Sequence, residues 1–509
     1  MSDQTVLHLH PQPEELRAEA AHILGQLEGR TLKMKERLGI PLQEMPSQDP
    51  AVRCTNMREV ALGYCEEQVR VEAMRCLQCK NPTCIAGCPV RINIPAFIDA
   101  AARGDYRESL AIIKESSLLP AICGRVCPQE SQCQLECTVG KSLKSIDRAV
   151  SIGRIERFVA DWEMAQGERH IPAVKPESGK RVAIIGSGPA SITAAADIRK
   201  EGHSVTMFEA FHKPGGVMIY GIPEFRLPKS IVQREIDTLV AMGVELRTNF
   251  LIGRTRTLKE LLDRDGYDAL FIGSGAGLPK FMHIPGENLV GVFSANEYLT
   301  RANLMKAYDN LRAATPIYES HRVAVIGGGN VAMDSARMAK RLGAEEVTIV
   351  YRRTETEMPA RVEEVRHAKE EGILFHLLEN PIEVLGRADG RVRGIVVLHY
   401  TLGEPDQSGR RRPVPIEGSE TTIDLDTVIV AIGNDSNPLI GKTTPELAVD
   451  SRGHIITDES GKTSMEGVYA GGDIVLGSAT VILAMGEGRK AAAAINRLLA
   501  GGGGSQPAA

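Results

Sequence analysis

The cysteines of this chain are its clearest candidates for chemistry. All ten lie between Cys54 and Cys137, and eight of them fall into two groups at short spacing. Four cysteine thiolates hold a 4Fe-4S cluster, so the two groups predict two such clusters. Cys88 and Cys127 each precede a proline, and the thiol of such a pair commonly binds the neighbouring cluster. The grouped residues are Cys76, Cys79, Cys84 and Cys88, followed by Cys123, Cys127, Cys133 and Cys137.

Two other uses of these thiols were weighed. Zinc remains an alternative because Cys-x-x-Cys pairs bind it readily. Disulfides are disfavoured, since the N-terminus has no positively charged leader followed by an apolar block and a reducing cytosol is the expected compartment. Cys54 and Cys65 stand apart from both groups and are expected to be ordinary buried thiols.

A first glycine-rich sequence, VAIIGSGPAS, stands between an apolar run and an Ala-rich helical pattern. Gly186 and Gly188 would let the backbone approach a pyrophosphate held at the helix N-terminus. Ser191 takes the position that needs a compact side chain. Glu209 ends the next apolar run and is placed to accept hydrogen bonds from a ribose. This loop predicts a dinucleotide site.

A second loop, VAVIGGGNVAM, repeats the pattern, but its next apolar run ends in two arginines instead of an acid. Guanidinium groups there suit a 2'-phosphate, so Arg352 and Arg353 predict NADPH over NADH. The alternative is that they form surface ion pairs with Glu355 or Glu357. The predicted nucleotide-binding residues are Gly327, Gly329, Asn330, Ala332, Arg352 and Arg353.

A third glycine cluster precedes the last helical stretch of the chain. Gly471, Gly472 and Asp473 follow the short apolar run GVYA. Asp473 could bond the ribityl chain of a flavin. By itself the cluster could equally be an ordinary strand-to-helix turn.

The kind of secondary structure that must position these residues changes near residue 175. Residues 13–40 carry apolar side chains at helical spacing, so we expect one or two surface-packed helices without chemistry there. From Arg181, and again from Arg322, short Val- and Ile-rich runs alternate with helical stretches. Such units predict an α/β fold with two parallel sheets. The final GGGGSQPAA is expected to be a flexible end or a linker.

The overall composition excludes two classes of partner. The chain has 60 Lys+Arg against 65 Asp+Glu, a net charge of -5, which leaves no basic footprint for a nucleic-acid backbone. No stretch approaches the roughly 18 consecutive apolar residues that a membrane span requires. We therefore expect a cytoplasmic protein with no nucleic-acid partner and no membrane span.

Several motifs together carry a resemblance. RCLQCKNPTCIAGCPVRINIPAFI, LPAICGRVCPQESQCQLEC, IGRIERF, GIPEFRLPK and AGGD resemble the glutamate synthase small (beta) subunit family. Relatives of that family include the N-terminal half of dihydropyrimidine dehydrogenase and the large subunit of electron-bifurcating NADH-dependent ferredoxin:NADP oxidoreductase. The resemblance extends from about residue 45 to 498. QDPAVRCTNMREVALGY and EMPARVEEVRHAKEEGI look closer to the bifurcating large subunit and to homotetrameric-type NADPH glutamate synthase.

The resemblance implies an α/β fold class with a helical iron-sulfur N-terminal domain. Two Rossmann-like dinucleotide-binding domains, for FAD and NADP, would follow it, the second inserted into the first. The implied domains are 1–175 with two 4Fe-4S clusters, 176–300 and 430–500 for FAD, 301–429 for NADP, and the tail 501–509. The implied FAD residues are Gly186, Gly188, Ser191, Glu209, Gly215, Gly216, Arg226, Gly472, Asp473 and Thr480, of which Gly215, Gly216 and Arg226 would line the isoalloxazine ring.

The resemblance also divides the cluster ligands differently from their order along the chain. It implies Cys76, Cys79, Cys84 and Cys137 for one cluster, and Cys88, Cys127, Cys133 and Glu156 for the other. Glu156 belongs to the motif IG-x-x-E, which begins Ile152-Gly153 and in relatives supplies a carboxylate or carboxamide ligand. Cys123 would be a bystander. The alternative for Glu156 is a surface acid paired with Arg154 or Arg157.

The implied function is that of an NADPH-dependent flavoprotein oxidoreductase, the glutamate synthase small-subunit type of electron-transfer module. Electrons would pass between NADP(H), FAD and two 4Fe-4S clusters. Hydride moves from the nicotinamide to the flavin without a side-chain acid or base, in agreement with the lack of a convincing triad. The expected partner is a second redox subunit, namely the glutamate synthase large subunit or a small ferredoxin:NADP oxidoreductase flavoprotein, or else a ferredoxin. An oligomer is expected.

Four further functions are compared with this one. The large subunit of a bifurcating NADH-dependent ferredoxin:NADP oxidoreductase is the alternative, and the sequence does not exclude it. A disulfide reductase needs a cysteine pair beside the flavin, and the flavoprotein part has no cysteine. The chain begins Met-Ser-Asp without the usual N-terminal cysteine nucleophile, so it is not expected to make glutamate from glutamine alone. A zinc-containing nucleotide sensor or scaffold is the candidate from a different class.

Overall fold

The computed structural model describes residues 11–309, 311–406 and 409–501. Helices alone build the cysteine-bearing part of the chain. In addition to two 3-10 turns, Gln129–Ser131 and Ile146–Arg148, its elements are the helices α1 (Pro13–Leu27), α2 (Met34–Gly39), α3 (Pro50–Arg53), α4 (Glu66–Met74), α5 (Thr83–Ala86), α6 (Ile94–Ala102), α7 (Tyr106–Ser116), α8 (Pro120–Val126), α9 (Thr138–Ser142) and α10 (Ile152–Ala165). The expected N-terminal helices and the helical iron-sulfur region are therefore both present.

Helix α10 shows how the helical part is packed. Its buried residues Ile152, Ile155 and Val159 recur at helical spacing and form one apolar face toward the core. Helix α8 lies against α10. At Gly124 of α8 a Cβ atom would stand only 2.6 Å from the backbone nitrogen of Arg157. Because only glycine permits this approach, α8, which carries Cys123, and α10, which carries Glu156, meet at contact distance.

Five parallel strands form the first sheet, namely β1 (Arg181–Ile185), β2 (Ser204–Phe208), β3 (Glu245–Arg247), β4 (Ala269–Ile272) and β16 (Val468–Ala470). They follow the order β16-β4-β1-β2-β3. Continuous apolar runs such as VAII in β1 are buried, as expected for strands covered on both faces. The helices of this lobe are α11 (Pro189–Lys200), α12 (Val217–Tyr220), α13 (Lys229–Ala241), α14 (Leu258–Asp263), α18 (Leu439–Thr443), α19 (Asp473–Leu476) and α20 (Val481–Leu499).

A second sheet of five parallel strands contains β6 (Val292–Ser294), β7 (Arg322–Ile326), β8 (Glu346–Tyr351), β9 (Leu374–Leu377) and β14 (Thr427–Val430). Their order is β6-β14-β7-β8-β9. Helices α15 (Ala295–Asn303), α16 (Asn330–Arg341) and α17 (Val362–Glu370) and the 3-10 turn Glu355–Glu357 accompany this sheet. Because β16 rejoins the first sheet only after β14, the second lobe is inserted into the first.

Antiparallel strands, which the sequence did not predict, extend the second lobe. They are β10 (Glu379–Gly386), β11 (Val392–Pro405), β12 (Arg411–Pro415) and β13 (Thr421–Asp424). The short strands β5 (Leu278–Pro279) and β15 (Asn434–Asp435) pair where the chain crosses between lobes. The predicted α/β fold class is confirmed. Strand β6 belongs to the second sheet, although it precedes the predicted domain limit at residue 300.

A buried group of charges joins the helical part to the second lobe. The guanidinium of Arg53 in α3 is fully buried and lies 2.8 Å from the Glu371 carboxylate. Arg337 and Arg341 of α16 each approach the same carboxylate to 2.7 Å. A buried ion-pair network that is fully hydrogen-bonded fixes the relative position of the parts that supply it. No helix in the described residues is both long and apolar enough to cross a membrane.

Candidate electron-transfer site

The four thiols of the first implied cluster converge although they come from separate segments. Cys76 and Cys79 follow α4, Cys84 lies in α5, and Cys137 caps α9. Burial, with the neighbouring thiols, raises the pKa of Cys76 to about 11 and that of Cys84 to about 12. The four side chains line one small cavity, whose remaining wall is largely apolar. Cys137 therefore faces the first cysteine run, away from its neighbours in sequence.

The second implied cluster has three thiols and one carboxylate at its centre. Cys88, Cys127 and Cys133 lie near one another and near Glu156. The neighbouring Cys123 thiol and burial hold the pKa of Cys127 well above the ordinary range, and burial does the same for Cys133. Glu156 is 6% exposed, and burial raises its pKa to about 8. Its Oε1 atom has no hydrogen-bond partner in the described residues. An orphaned carboxylate among thiols is chemically suited to bind a metal.

The alternative partners of Glu156 are occupied elsewhere. Arg157 lies 3.0 Å from Glu59, and the nearest acidic oxygen to Arg154 belongs to Glu363 at 3.6 Å. Gly153, in the same motif, lets the Gln129 side chain pack where a Cβ atom would overlap it. The glycine therefore serves packing, and the glutamate is the residue of the motif that faces the thiols.

The donor atoms of these side chains indicate which kind of metal group they could hold. No three His, Cys, Asp or Glu side chains within the described ranges are arranged to bind a single metal ion. Four thiols line the first cavity, and at the second set three thiols neighbour the Glu156 carboxylate. This sulfur-rich donor set fits iron-sulfur clusters.

The first glycine loop is built for close backbone approach. Gly186 has φ +96°, and a Cβ atom there would stand 2.5 Å from the Gly273 carbonyl oxygen. Gly188 caps α11, and Ser191 is fully buried in that helix. The backbone N–H groups at the start of α11 are therefore placed to meet a phosphate.

Ser187 links two of the predicted flavin residues, Glu209 and Gly215, although the sequence did not single it out. Its hydroxyl donates to the Glu209 carboxylate and accepts from the backbone N–H of Gly215 at 2.9 Å. Glu209 also accepts from the N–H of Phe211 at 2.8 Å, and burial raises its pKa. The position of Ser187 between the two loop glycines was the signal that could have identified it.

The predicted flavin-lining turn is held by a lysine that was also missed. The Lys229 ammonium donates to the carbonyls of Met218 at 3.0 Å, Leu227 at 3.1 Å and Ile222. Burial lowers its pKa to about 8. Arg226 in the same turn is directed to the second lobe, where it contacts Asp334 at 2.7 Å. Arg226 thus ties the turn to α16.

The third glycine cluster lies against the first loop. At Gly472, which has φ +80°, a Cβ atom would approach the Ala190 Cβ to 3.0 Å. Burial raises the pKa of Asp473 to about 6, and its carboxylate accepts from the N–H of Ala479. Thr480 caps α20 through its hydroxyl. The structure therefore brings residues distant in the sequence to one site.

The second glycine loop repeats the backbone form of the first. Gly327 has φ +141°, and a Cβ atom there would overlap the Ala431 carbonyl oxygen. Gly329 caps α16, and Ala332 is fully buried within that helix. The side-chain oxygen of Asn330 accepts from the backbone N–H of Arg361 at 3.0 Å.

The two arginines that follow β8 differ in surroundings. Arg352 is exposed. Arg353 is buried, with one nitrogen 2.8 Å from the Asp406 carboxylate and another donating to the Arg411 carbonyl. Glu355 pairs with Lys369. The alternative, an ion pair between Glu355 and one of the two arginines, is therefore not supported. Only Arg352 of the two is directed to solvent.

The second cysteine group touches the flavin-type lobe. The Cys123 sulfur lies 3.6 Å from that of Met485 in α20, and Gln132 donates to the Thr480 hydroxyl at 3.4 Å. A Cβ atom at Gly486 would stand 3.2 Å from the carbonyl of Pro89, the residue after Cys88. Cys133 in turn neighbours Cys84 of the first group. The flavin-type lobe, the thiols of the second implied cluster and the thiols of the first implied cluster therefore follow one another in space.

Comparison with known proteins agrees with this division. Residues 53–168 match the family described as dihydropyrimidine dehydrogenase domain II, 4Fe-4S cluster, and residues 180–491 match pyridine nucleotide-disulphide oxidoreductase. The chain is 37% identical to the glutamate synthase (NADPH) small chain of Halomonas elongata, covering 88% of this chain and 94% of that one.

A longer relative and a solved structure add to the comparison. The chain is 40% identical to the NADP(+)-dependent formate dehydrogenase subunit beta of Moorella thermoacetica, covering 82% of this chain but only 60% of that protein. Mycobacterium tuberculosis FprA in complex with NADPH aligns with a TM-score of 0.53 and 22% identity, covering 65% of this chain and 88% of that one. This structural likeness shows the fold of the two-sheet part.

Proposed function

The chain belongs to the glutamate synthase (NADPH) small-chain family, and we propose that it passes electrons between NADP(H), FAD and two 4Fe-4S clusters. The observation that carries the proposal is the contact between the second cysteine group and α20. Because the third glycine cluster precedes that helix directly, a flavin held there would lie beside the nearer cluster.

The residues of the first lobe fix the flavin by shape and hydrogen bonding. A bound flavin exchanges hydride with a nicotinamide and single electrons with a cluster, which is the chemistry the site supplies when loaded. Gly186 and Gly188 open the backbone to the pyrophosphate, and Ser187 orients Glu209 toward the ribose. Asp473 would accept a hydrogen bond from the ribityl chain of a bound flavin. Lys229 holds the turn that would line the flavin ring.

The helical part holds the clusters through donors at two levels of exposure. We assign Cys76, Cys79, Cys84 and Cys137 to the outer cluster, where three thiols are partly exposed. We assign Cys88, Cys127, Cys133 and Glu156 to the inner one, where only Cys133 is partly exposed. Burial and ligand type both alter cluster potential, so these differences would separate the two potentials.

The second lobe supplies the nucleotide preference. Its loop would bind the NADP pyrophosphate through the backbone at Gly327 and Gly329, with Asn330 and Ala332 completing the turn. Arg352 is the side chain we assign to the 2'-phosphate, because it is exposed beside the loop. Arg353 stabilises the strand end from behind through Asp406.

We infer that electrons leave at the outer cluster toward a second subunit. The relatives named above are small or beta subunits, which favours a larger assembly. The glutamate synthase large subunit is the partner we propose. All ten cysteines are free, which suits a reducing compartment, and we place the protein in the cytoplasm.

An anaerobic titration of the full-length chain with NADPH tests the proposal. Flavin, iron and acid-labile sulfide are measured first, and the flavin and cluster absorbance bands are then followed together. We expect eight iron atoms per chain and bleaching of both bands. Protein that contains flavin and iron but shows no bleaching of either band would contradict the dehydrogenase function.

A further inference from the structure

The flavin-lining turn (residues 214–229) belongs to the first lobe but is anchored in both lobes. Near its beginning, the backbone N–H of Gly215 donates to the hydroxyl of Ser187 in the first glycine loop, at 2.9 Å. Near its end, the Phe225 side chain is fully buried and packs in the apolar core of the second lobe. The turn therefore crosses the boundary between the two lobes.

One asparagine of the second lobe holds the middle of the turn. Asn303 ends α15, a helix that packs against α16 and β6 of the second lobe and against α12 of the first. Asn303 is 4% exposed, and its Nδ2 atom donates to the carbonyls of Tyr220 and Gly221, at 3.2 Å in each case. An amide nitrogen carries two hydrogens. Both hydrogens of the Asn303 amide therefore bind the backbone of the flavin-lining turn.

A buried aspartate of α16 holds the end of the turn. Asp334 is 3% exposed, and both of its carboxylate oxygens lie 2.7 Å from one nitrogen of Arg226. The guanidinium groups of Arg337 and Arg341, in the same helix, lie 4.9 and 3.9 Å from the centroid of the Phe225 ring. Helix α16 begins at the second glycine loop, so Asp334 lies about one helical turn from that loop.

These contacts bear on a step whose rate depends on alignment. In the proposed function a hydride, which is one proton with two electrons, leaves NADPH and joins the flavin, and the products are NADP+ and the reduced flavin anion. The flavin would lie against the turn, whereas the second lobe would hold the nicotinamide nucleotide. The two reacting atoms must approach to about 3–3.5 Å. Contacts between the turn and the second lobe therefore set the position of one ring relative to the other.

We propose that Asn303 and Asp334 are positioning residues, which align the flavin with the nicotinamide by holding the flavin-lining turn against the second lobe. The inference rests on the proposed function. Neither residue belongs to the predicted FAD or NADP sites, because Asn303 binds the backbone of the turn and Asp334 binds Arg226. Their loss should therefore slow hydride transfer without weakening the binding of either cofactor.

Stopped-flow reduction of the full-length, flavin-loaded protein by NADPH tests this role. Asn303→Leu keeps the size of the side chain but removes the donor. We expect the limiting rate of flavin reduction to fall about tenfold, because a misplacement of about 1 Å can cost about a hundredfold in rate. The Kd for NADPH, the FAD content and the rate of reduction by dithionite, which needs no nicotinamide, should not change. The long-wavelength absorbance of stacked nicotinamide and flavin rings should weaken.

Matched variants separate alignment from stability. Asp334→Asn weakens the other anchor and should slow reduction by NADPH in the same way. It leaves Arg226 with a partner, because Arg226 also lies 3.3 Å from Glu364, so this variant serves as the test if Asn303→Leu does not fold. Asn296→Leu is the control. Asn296 lies in the same helix as Asn303 and donates to a carbonyl outside the turn, so its replacement should leave the rate unchanged.

Three results would overturn the inference. Wild-type rates in both Asn303→Leu and Asp334→Asn would show that these anchors do not set the alignment. Loss of FAD, equally slow reduction by dithionite, or an equal effect in Asn296→Leu would show that the anchors are only structural. A higher Kd for NADPH with an unchanged limiting rate would make them binding residues. Wild-type protein whose flavin is not reduced by NADPH would instead contradict the proposed function, which distinguishes the two failures.

Discussion

The two nucleotide-binding lobes share a backbone plan but end their second strands in opposite chemistry. In both, a glycine with positive φ turns the chain under the carbonyl of a neighbouring strand, at Gly186 and Gly327. After β2 the first lobe directs Glu209 inward to Ser187. After β8 the second lobe leaves Arg352 exposed. In the roles proposed above, each loop would admit a pyrophosphate, while the end of the following strand would select the nucleotide.

The neighbours of the two lobes differ as well. The first lobe is covered by the helical part, through α20 and the second cysteine group. The ion pair between Arg53 and Glu371 fixes the second lobe to the helical part. Glu371 lies far along the chain from the glycine loop of that lobe. A cysteine sulfur meets α20 of the first lobe directly, whereas the second lobe reaches the same cysteine-bearing segment through Arg361, which donates to the Gln129 side chain at 3.0 Å.

The largest effects should come from filling the two loops. Gly186→Ala should weaken FAD binding at least tenfold and Gly327→Ala should do the same for NADPH, because each Cβ meets a carbonyl and each φ disfavours side chains. Flavin content on purification and equilibrium NADPH binding measure the two effects. Gly343→Ala is the control, since its φ is +101° but no atom lies within 4 Å. Loss of both cofactors from each loop variant would contradict the division of roles.

The arginine pair allows a matched test of nucleotide choice. Arg352→Ala should raise the KM for NADPH about tenfold to hundredfold, since a hydrogen bond to a charged group contributes about 1.5–3 kcal/mol. The KM for NADH should not change. Arg353→Ala should lower the Tm more than it raises the KM, because Arg353 is bound to Asp406 and the Arg411 carbonyl. Equal KM effects of the two variants would remove the distinction between them.

A smaller effect is expected from Ser187. Ser187→Ala removes hydrogen bonds to Glu209 and Gly215, and we expect FAD binding to weaken about fivefold, equivalent to about 1 kcal/mol. Fluorescence titration of the flavin-free protein measures it. Ser191→Ala is the control, because that hydroxyl makes only a 3.4 Å bond to the Gly273 carbonyl. A larger effect at Ser191 would mean that helix packing, not the ribose acid, governs affinity.

The smallest expected effect concerns pH. Burial raises the pKa of Asp473 to about 6. The ionised carboxylate is the better acceptor for a ribityl hydroxyl, so FAD affinity should fall a few-fold as pH decreases through about 6. It should be constant above pH 7. Asp473→Asn should abolish this pH dependence, and a dependence that persists in the variant would assign it to another group.

Much of the similarity between the two lobes could be predicted from local sequence. The apolar runs before each glycine loop predicted the central strands, because buried parallel strands need uninterrupted apolar residues. The interleaved assignment of Cys137 with the first run came only from the family resemblance, since spacing along the chain groups it with Cys133. Convergence in space depends on how α4 and α9 pack, which local patterns do not encode.

The missed residues share one physical property. Ser187 and Lys229 act through partners brought near by the fold, and Arg53 meets Glu371 across most of the chain length. Such contacts have no periodicity or motif to mark them. The antiparallel strands β10 to β13 were missed although β11 carries the apolar run GIVVL with Ile395 and Val397 buried, because no glycine loop or helical stretch stands beside that run to mark a strand-helix unit.

The return of the chain to its first sheet has a consequence for synthesis. Strand β16 pairs with β4 only after the whole second lobe has been made. At about 5–20 residues per second, the intervening roughly 200 residues take a ribosome on the order of ten to forty seconds. The helical part with its cysteines emerges first, so metal can enter a nascent chain, whereas the flavin pocket closes only when translation is nearly complete. The helical part can therefore fold before the first sheet is complete.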